Sequence, residues 1–213
     1  MRRAALLILP LAVLSACGPK TLTLSDDPVE KAATCGVVAA ASARDGATNV
    51  KGALPFDQQT RIVHYALLAG ATEPKFSREK AGAVVQKMQE IQEKVTSGKW
   101  KDLVGPCNSA FPEADPAKPV GIPSNSYDAQ LGCYSLANFM ATALKSEGGS
   151  YDDKLLAYGK MQTALDPKIS VAMEKRGFKT NDAKQDERNR TLSSAAKWGS
   201  PGKVLAECKA KFG

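Results

Sequence analysis

The sequence predicts an all-α fold made of two tandem, disulfide-stapled helical bundles of about four helices each. Three observations predict it. Hydrophobic residues make up 43% of the chain and aromatic ones only 6%, with alanine abundant and few β-branched or aromatic runs, a composition that favours helices over strands. Apolar positions recur at three- and four-residue spacing, clearest in Ala81, Val84, Val85, Met88, Ile91 and Val95. Four of the five cysteines fall at near-equal separations, Cys35 to Cys107 being 72 and Cys133 to Cys208 being 75.

The elements justify themselves in order. Asp27-Pro28 opens a helix, because Asp caps and proline is tolerated at the first helical position, and Asp45-Gly46 closes it after Arg44. Pro55 to Leu68 reads as a second helix, ended by Gly70 and Pro74. Ser77 caps the third, which Ser97-Gly98 stops. Trp100 to Phe111 closes the first unit, with Gly105-Pro106 kinking or restarting the helix. Prolines 112, 116, 119 and 123 make residues 112–125 a stiff, extended linker. The pattern then begins again. A helix starts near Ser126 and ends at Gly148-Gly149; the next starts at Asp152 or Asp153 and is kinked or ended by Pro167. Ile169 to Arg176 adds a further piece, a polar helix spans Asn181 to Lys197, and Ser200-Pro201 starts the last. The units are thus 27–111 and 126–213.

The two units read as a diverged internal repeat. Cys107 and Cys208 each precede a phenylalanine by four residues, Phe111 and Phe212. Leu103-Val104 matches Val204-Leu205, and Trp100 and Trp198 each stand shortly before the last cysteine of a unit. Tyr65, Ala71, Glu73, Pro74 and Lys75 match Tyr158, Ala164, Asp166, Pro167 and Lys168. Four cysteines allow three pairings, and a repeat selects the one that joins first to last helix in each unit, Cys35–Cys107 and Cys133–Cys208. Units of about 85 residues have little core, which gives such staples a purpose.

Ahead of the bundles, Arg2 and Arg3 precede an apolar run from Ala4 to Ala16, the anatomy of an export signal. As a helix the run rises only about 20 Å, too short for a hydrocarbon core of about 30 Å. It ends in Leu14-Ser15-Ala16-Cys17, which resembles the lipobox of the bacterial lipoprotein class at all four positions. The resemblance implies cleavage after residue 16, lipidation of Cys17 and attachment to a membrane, with residues 17–26 as a polar tether. Gly18 is not the aspartate that retains such proteins in the inner membrane of enteric bacteria, so the expected site is the periplasmic face of the outer membrane. In size, staple and exported setting the body distantly resembles the small helical periplasmic immunity proteins of type VI amidase effectors, without a shared motif.

With Arg2 and Arg3 removed, 27 basic residues face 22 acidic ones and the net charge falls from +7 to +5. The charges are interspersed and no basic stripe carries interleaved aromatics, which excludes a nucleic-acid partner. Ser77 with Lys80, and Ser194 with Lys197, spell Ser-x-x-Lys, but the Ser-Asp-Asn and Lys-Thr-Gly companions of that chemistry are missing, so Ser77 reads as a cap. Gly199 to Lys203 has glycines too closely spaced for a phosphate loop, and Val204 where a magnesium-binding hydroxyl belongs. His64 is the sole histidine and reads as a surface or boundary residue. Asp152-Asp153 and Asp186-Glu187 read as a helix start and a solvated face. No metal, cofactor or catalytic set is expected. Tyr65, Tyr158, Trp100 and Trp198 occupy matched places and either fill the two cores or line a groove between the units. The expected function is binding of another envelope protein as inhibitor, immunity or assembly factor. A hydrolase or transferase acting on the envelope, and a carrier of a small apolar ligand, are the alternatives.

Overall fold

The computed structural model describes residues 20–213 except 48, 50, 51, 73, 146 and 148. The expected signal segment, Cys17, Glu73 and Gly148 lie outside the described residues. Among those described, eight α-helices and no strands are present. The first half holds α1 (Pro28–Arg44), α2 (Phe56–Gly70), α3 (Arg78–Thr96) and, after a 3-10 turn at Trp100–Leu103, α4 (Val104–Ala110). The second holds α5 (Ser126–Leu144), α6 (Asp152–Lys175), α7 (Asn181–Ala195) and α8 (Pro201–Phe212).

The helix starts are chemically made. The carboxylate of Asp27 accepts from the Glu30 amide at 2.7 Å, and Ser77 Oγ accepts from the Lys80 amide at 3.1 Å. Asn125 and Thr180 do the same for α5 and α7. Each half is built round its first helix. Helix α1 packs on α2, α3 and α4, and α5 packs on α6, α7 and α8. Disulfides Cys35–Cys107 and Cys133–Cys208 tie first helix to last in each half.

Three features of the fold differ from the sequence reading. First, α6 runs unbroken through Pro167. A proline inside a helix costs about 3 kcal/mol. Met161, Leu165, Ile169 and Met173 form a fully buried stripe on both sides of it, and each such side chain contributes roughly 1.5–3 kcal/mol. The stripe wins. The matched Pro74 instead lies beyond the end of α2. Second, the segment that begins at Lys20 is not a free spacer. The Lys20 carbonyl accepts from the Lys99 amide at 3.0 Å, and Leu22 and Leu24 pack on the core of the first half. Third, Val85, an apolar position of α3, is 44% exposed.

The halves share one contiguous core, and α2 is the seam. It meets α5, α7 and α8. Gly202 lets α8 approach, since a Cβ there would run into Asp57 and Thr60 of α2. Tyr151 Oη donates to the Leu54 carbonyl at 2.7 Å, and the Phe76 amide donates to the Asn189 carbonyl at 3.0 Å. Phe56 packs on Tyr151 and Tyr158, and Phe76 meets Phe139 edge to face. The proline-rich stretch straps this seam. Arg61 donates to the carbonyl of the buried Ala114, Lys203 to that of Pro116, and the Gly121 amide to that of Trp198.

Candidate functional site: a groove over α1 and α3

A cavity of about 540 Å³ forms a groove between α1 and α3 with one edge formed by α2. Its floor is Gly36, Val37, Ala40 and Ala41, four small or short side chains along one side of α1, and Arg44 of the last turn ends it. They are small because α1 is the central helix of its half and α3 crosses it closely. An added Cβ on Gly36 would overlap the Met88 thioether. The opposite wall is Met88, Gln89, Gln92 and Thr96 of α3, and Ile62 of α2 closes the edge. Gln89, Gln92 and Thr96 are exposed, so the groove opens to solvent along its length. Val85 lies one turn before Met88 and Gln89 on the same face of α3 and prolongs the apolar stripe beyond the cavity. An apolar floor with a rim of neutral amides and a hydroxyl gives a surface for binding rather than proton transfer.

His64 and Glu187, two buried groups able to move protons, lie away from the groove. His64 is fully buried, which corrects its reading as a surface or boundary residue. Its Nε2 donates to the Ala196 carbonyl at 2.7 Å across the seam. Burial lowers its pKa from 6.5 to about 4, against a smaller opposing effect of that hydrogen bond. Glu187 corrects the reading of a solvated pair, being 7% exposed while Asp186 pairs with Lys75 at the surface. Its carboxylate accepts from Arg190 Nε at 2.7 Å and Nη2 at 2.8 Å, and from the Tyr127 hydroxyl at 3.3 Å. Burial first, and then this carboxylate, push the Tyr127 phenol up to about 12. Neither His64 nor Glu187 borders the groove.

The four aromatics matched between the halves are not brought together. Tyr65 meets Phe111 edge to face, Tyr158 packs at a tilt on Phe56, Trp198 lies under Gly132, and Trp100 is half-buried beside the Lys101 ammonium. Tyr65, Tyr158 and Trp198 are core residues. Ser77 caps α3, Ser194 and Lys197 are exposed at the end of α7, and Gly199 at φ +123° turns the chain into α8. No group of three or more His, Cys, Asp or Glu among the described residues is placed to hold a metal, and no helix among them is long and apolar enough to cross a membrane. The groove escaped the sequence reading because its floor is mostly alanines and a glycine, which carry no signal of their own. The exposed Val85 was the available sign, and a buried role was the natural assignment for it.

No family model, no curated protein and no solved structure matches the chain.

Proposed function

We propose that this chain is a lipid-anchored protein of the bacterial cell envelope, held through Cys17, whose body binds another protein as an inhibitor, immunity or assembly factor. The groove over α1 and α3 takes an amphipathic helix of that partner. The observation that carries this reading is the length and openness of the groove, with its apolar floor and polar rim. From Val85 to Thr96 it follows about 16 Å of helix at 1.5 Å per residue. A small apolar ligand calls for a closed cavity, whereas a helix laid in a groove places side chains at every turn along its length. Small floor residues let the partner's backbone come close, and the glutamine rim hydrogen-bonds its polar edge. The reading of the two halves as a diverged duplication belongs with this proposal, supported by the matching first-to-last disulfides.

The anchor is supported by the complete Leu14-Ser15-Ala16-Cys17 motif. Cys17→Ser is expected to release the protein from the membrane or leave it as uncleaved precursor; fractionation with the membrane at mature size would refute the anchor. The groove is tested in cells with the full lipidated chain carrying a photo-crosslinking residue in place of Gln92. A discrete protein adduct that disappears when Ala41→Arg fills the floor is the expected result. An adduct indifferent to that change, a lipid adduct alone, or none, overturns the groove assignment. The same residue placed at Lys209, exposed on α8, serves as the control and should give no such adduct.

A further inference from the structure

A second, chemically opposite cleft lies where the two halves meet. It is formed by Tyr134, Ser135 and Asn138 of α5, Gln185 and Arg188 of α7, and Arg78 at the first position of α3. It holds about 130 Å³, room for a group of a few heavy atoms. Two of its polar atoms are buried and have no hydrogen-bond partner in the protein, Ser135 Oγ and Arg188 Nε. Ser135 as a whole is only 6% exposed. Buried polar atoms are nearly always paired, and leaving one unpaired costs about 1–3 kcal/mol. Two such atoms in one cleft, one of them on a cation, mark a place where a partner from outside completes the bonding.

The chemistry of the lining selects the partner. Arg78 and Arg188 bring two positive charges to the cleft from opposite halves of the molecule. Three neighbouring carboxylates have partners of their own. Asp166 is hydrogen-bonded to the Tyr134 hydroxyl, Asp186 to Lys75, and Glu187 to Arg190. The guanidinium of Arg188 lies 5.8 Å from the Tyr134 ring centroid, within cation–π reach. A guanidinium presents parallel N–H donors in a fork that fits two oxygens of one carboxylate or phosphate. Ser135 supplies a hydroxyl donor and Asn138 an amide beside it. We propose that this cleft binds an oxyanionic group, a carboxylate or a phosphate ester, through Arg188, Ser135 and Arg78. The site is independent of the groove and of the anchor, since no residue is shared.

The two sources of that chemistry are separated by titrating the folded protein with inorganic phosphate and, in parallel, with a short peptide bearing either a free or an amidated C-terminus. Backbone and side-chain NMR shifts are followed. The expected result is saturable shifts at Ser135, Asn138 and the Arg188 Nε–H with one of the two oxyanions, and none with the amidated peptide. Arg188→Gln and Ser135→Ala should each weaken binding by about tenfold or more. Arg78→Gln, at an exposed residue that bears little on folding, should weaken it less, and Lys209→Gln not at all. Shifts that do not saturate up to tens of millimolar, or that survive Arg188→Gln and Arg78→Gln, overturn the proposal. So does retention of native helicity with both oxyanions inert, which would leave the two buried atoms served by water alone.

Discussion

Burying His64 ties the stability of the molecule to pH. With its folded pKa near 4 and its ordinary value at 6.5, the unfolded chain binds the extra proton between those values. Stability from this residue is therefore complete above about pH 6.5 and is lost as pH falls toward 4. It amounts to about 3 kcal/mol, because each tenfold difference in proton affinity between the folded and unfolded chains is worth about 1.4 kcal/mol. Urea denaturation of the wild type between pH 7 and pH 4 should show that fall. His64→Gln, which keeps a donor for the Ala196 carbonyl, should flatten it in this window; an unchanged slope would show that other groups control the acid transition. His64 also shows where sequence reading stops. The caps at Asp27 and Ser77 were legible because their partners lie three residues away. The partner of His64 lies 132 residues away. One local sign was present: Thr60, His64, Leu67 and Ala71 share one helical face, and all four are buried.

At the scale of elements, two glycines in the two central helices face neighbours of opposite kinds, one rigid and one flexible. A Cβ at Gly132 would overlap the indole of Trp198, which is 9% exposed and whose carbonyl is held by the Gly121 amide. The ring has nowhere to go. A Cβ at Gly36 would meet the end of Met88, a flexible side chain at the edge of an open groove. Gly132→Ala should cost roughly 1–3 kcal/mol. Gly36→Ala should be near neutral, because the gain of about 1 kcal/mol in helix propensity offsets the displacement of Met88. Thermal melts of both variants decide it, and equal losses would contradict the packing. The helices themselves were legible wherever apolar spacing and a cap agreed, as in α3. Helix α7 shows the contrary case. Its buried side includes Glu187, Thr191 and Ser193, whose hydrogen bonds make them acceptable inside. Those partners come from the fold and are invisible to hydropathy.

For the whole molecule, the fold class was legible and the joint between the halves was not. The even spacing of the cysteines is a property of the chain, whereas the seam depends on how two helical surfaces meet. Thr60, His64 and Tyr151 are buried there, and the Phe76–Phe139 contact crosses it. Each disulfide closes a loop of 72 or 75 residues, worth roughly 4–5 kcal/mol by loop entropy. Fragments 25–111 and 126–213 should therefore oxidise separately and be helical, yet melt well below the full chain, because each exposes its side of the seam. Mixing them should recover much of the lost stability. Circular dichroism of the separate and mixed fragments checks this; fragments as stable as the whole would make the halves independent domains.

The hold of Lys99 on Lys20 has a consequence for encounter. Only three peptide links separate Lys20 from Cys17, a reach of about 10 Å. A lipid on Cys17 would then keep the body against the bilayer with the Thr96 end of the groove lowest. A partner anchored in the same leaflet would search for that groove in two dimensions, at an effective concentration set by the membrane and not by the surrounding volume. A contact too weak to survive dilution in solution would suffice there, and an interface no wider than one helix would be enough to hold the pair together.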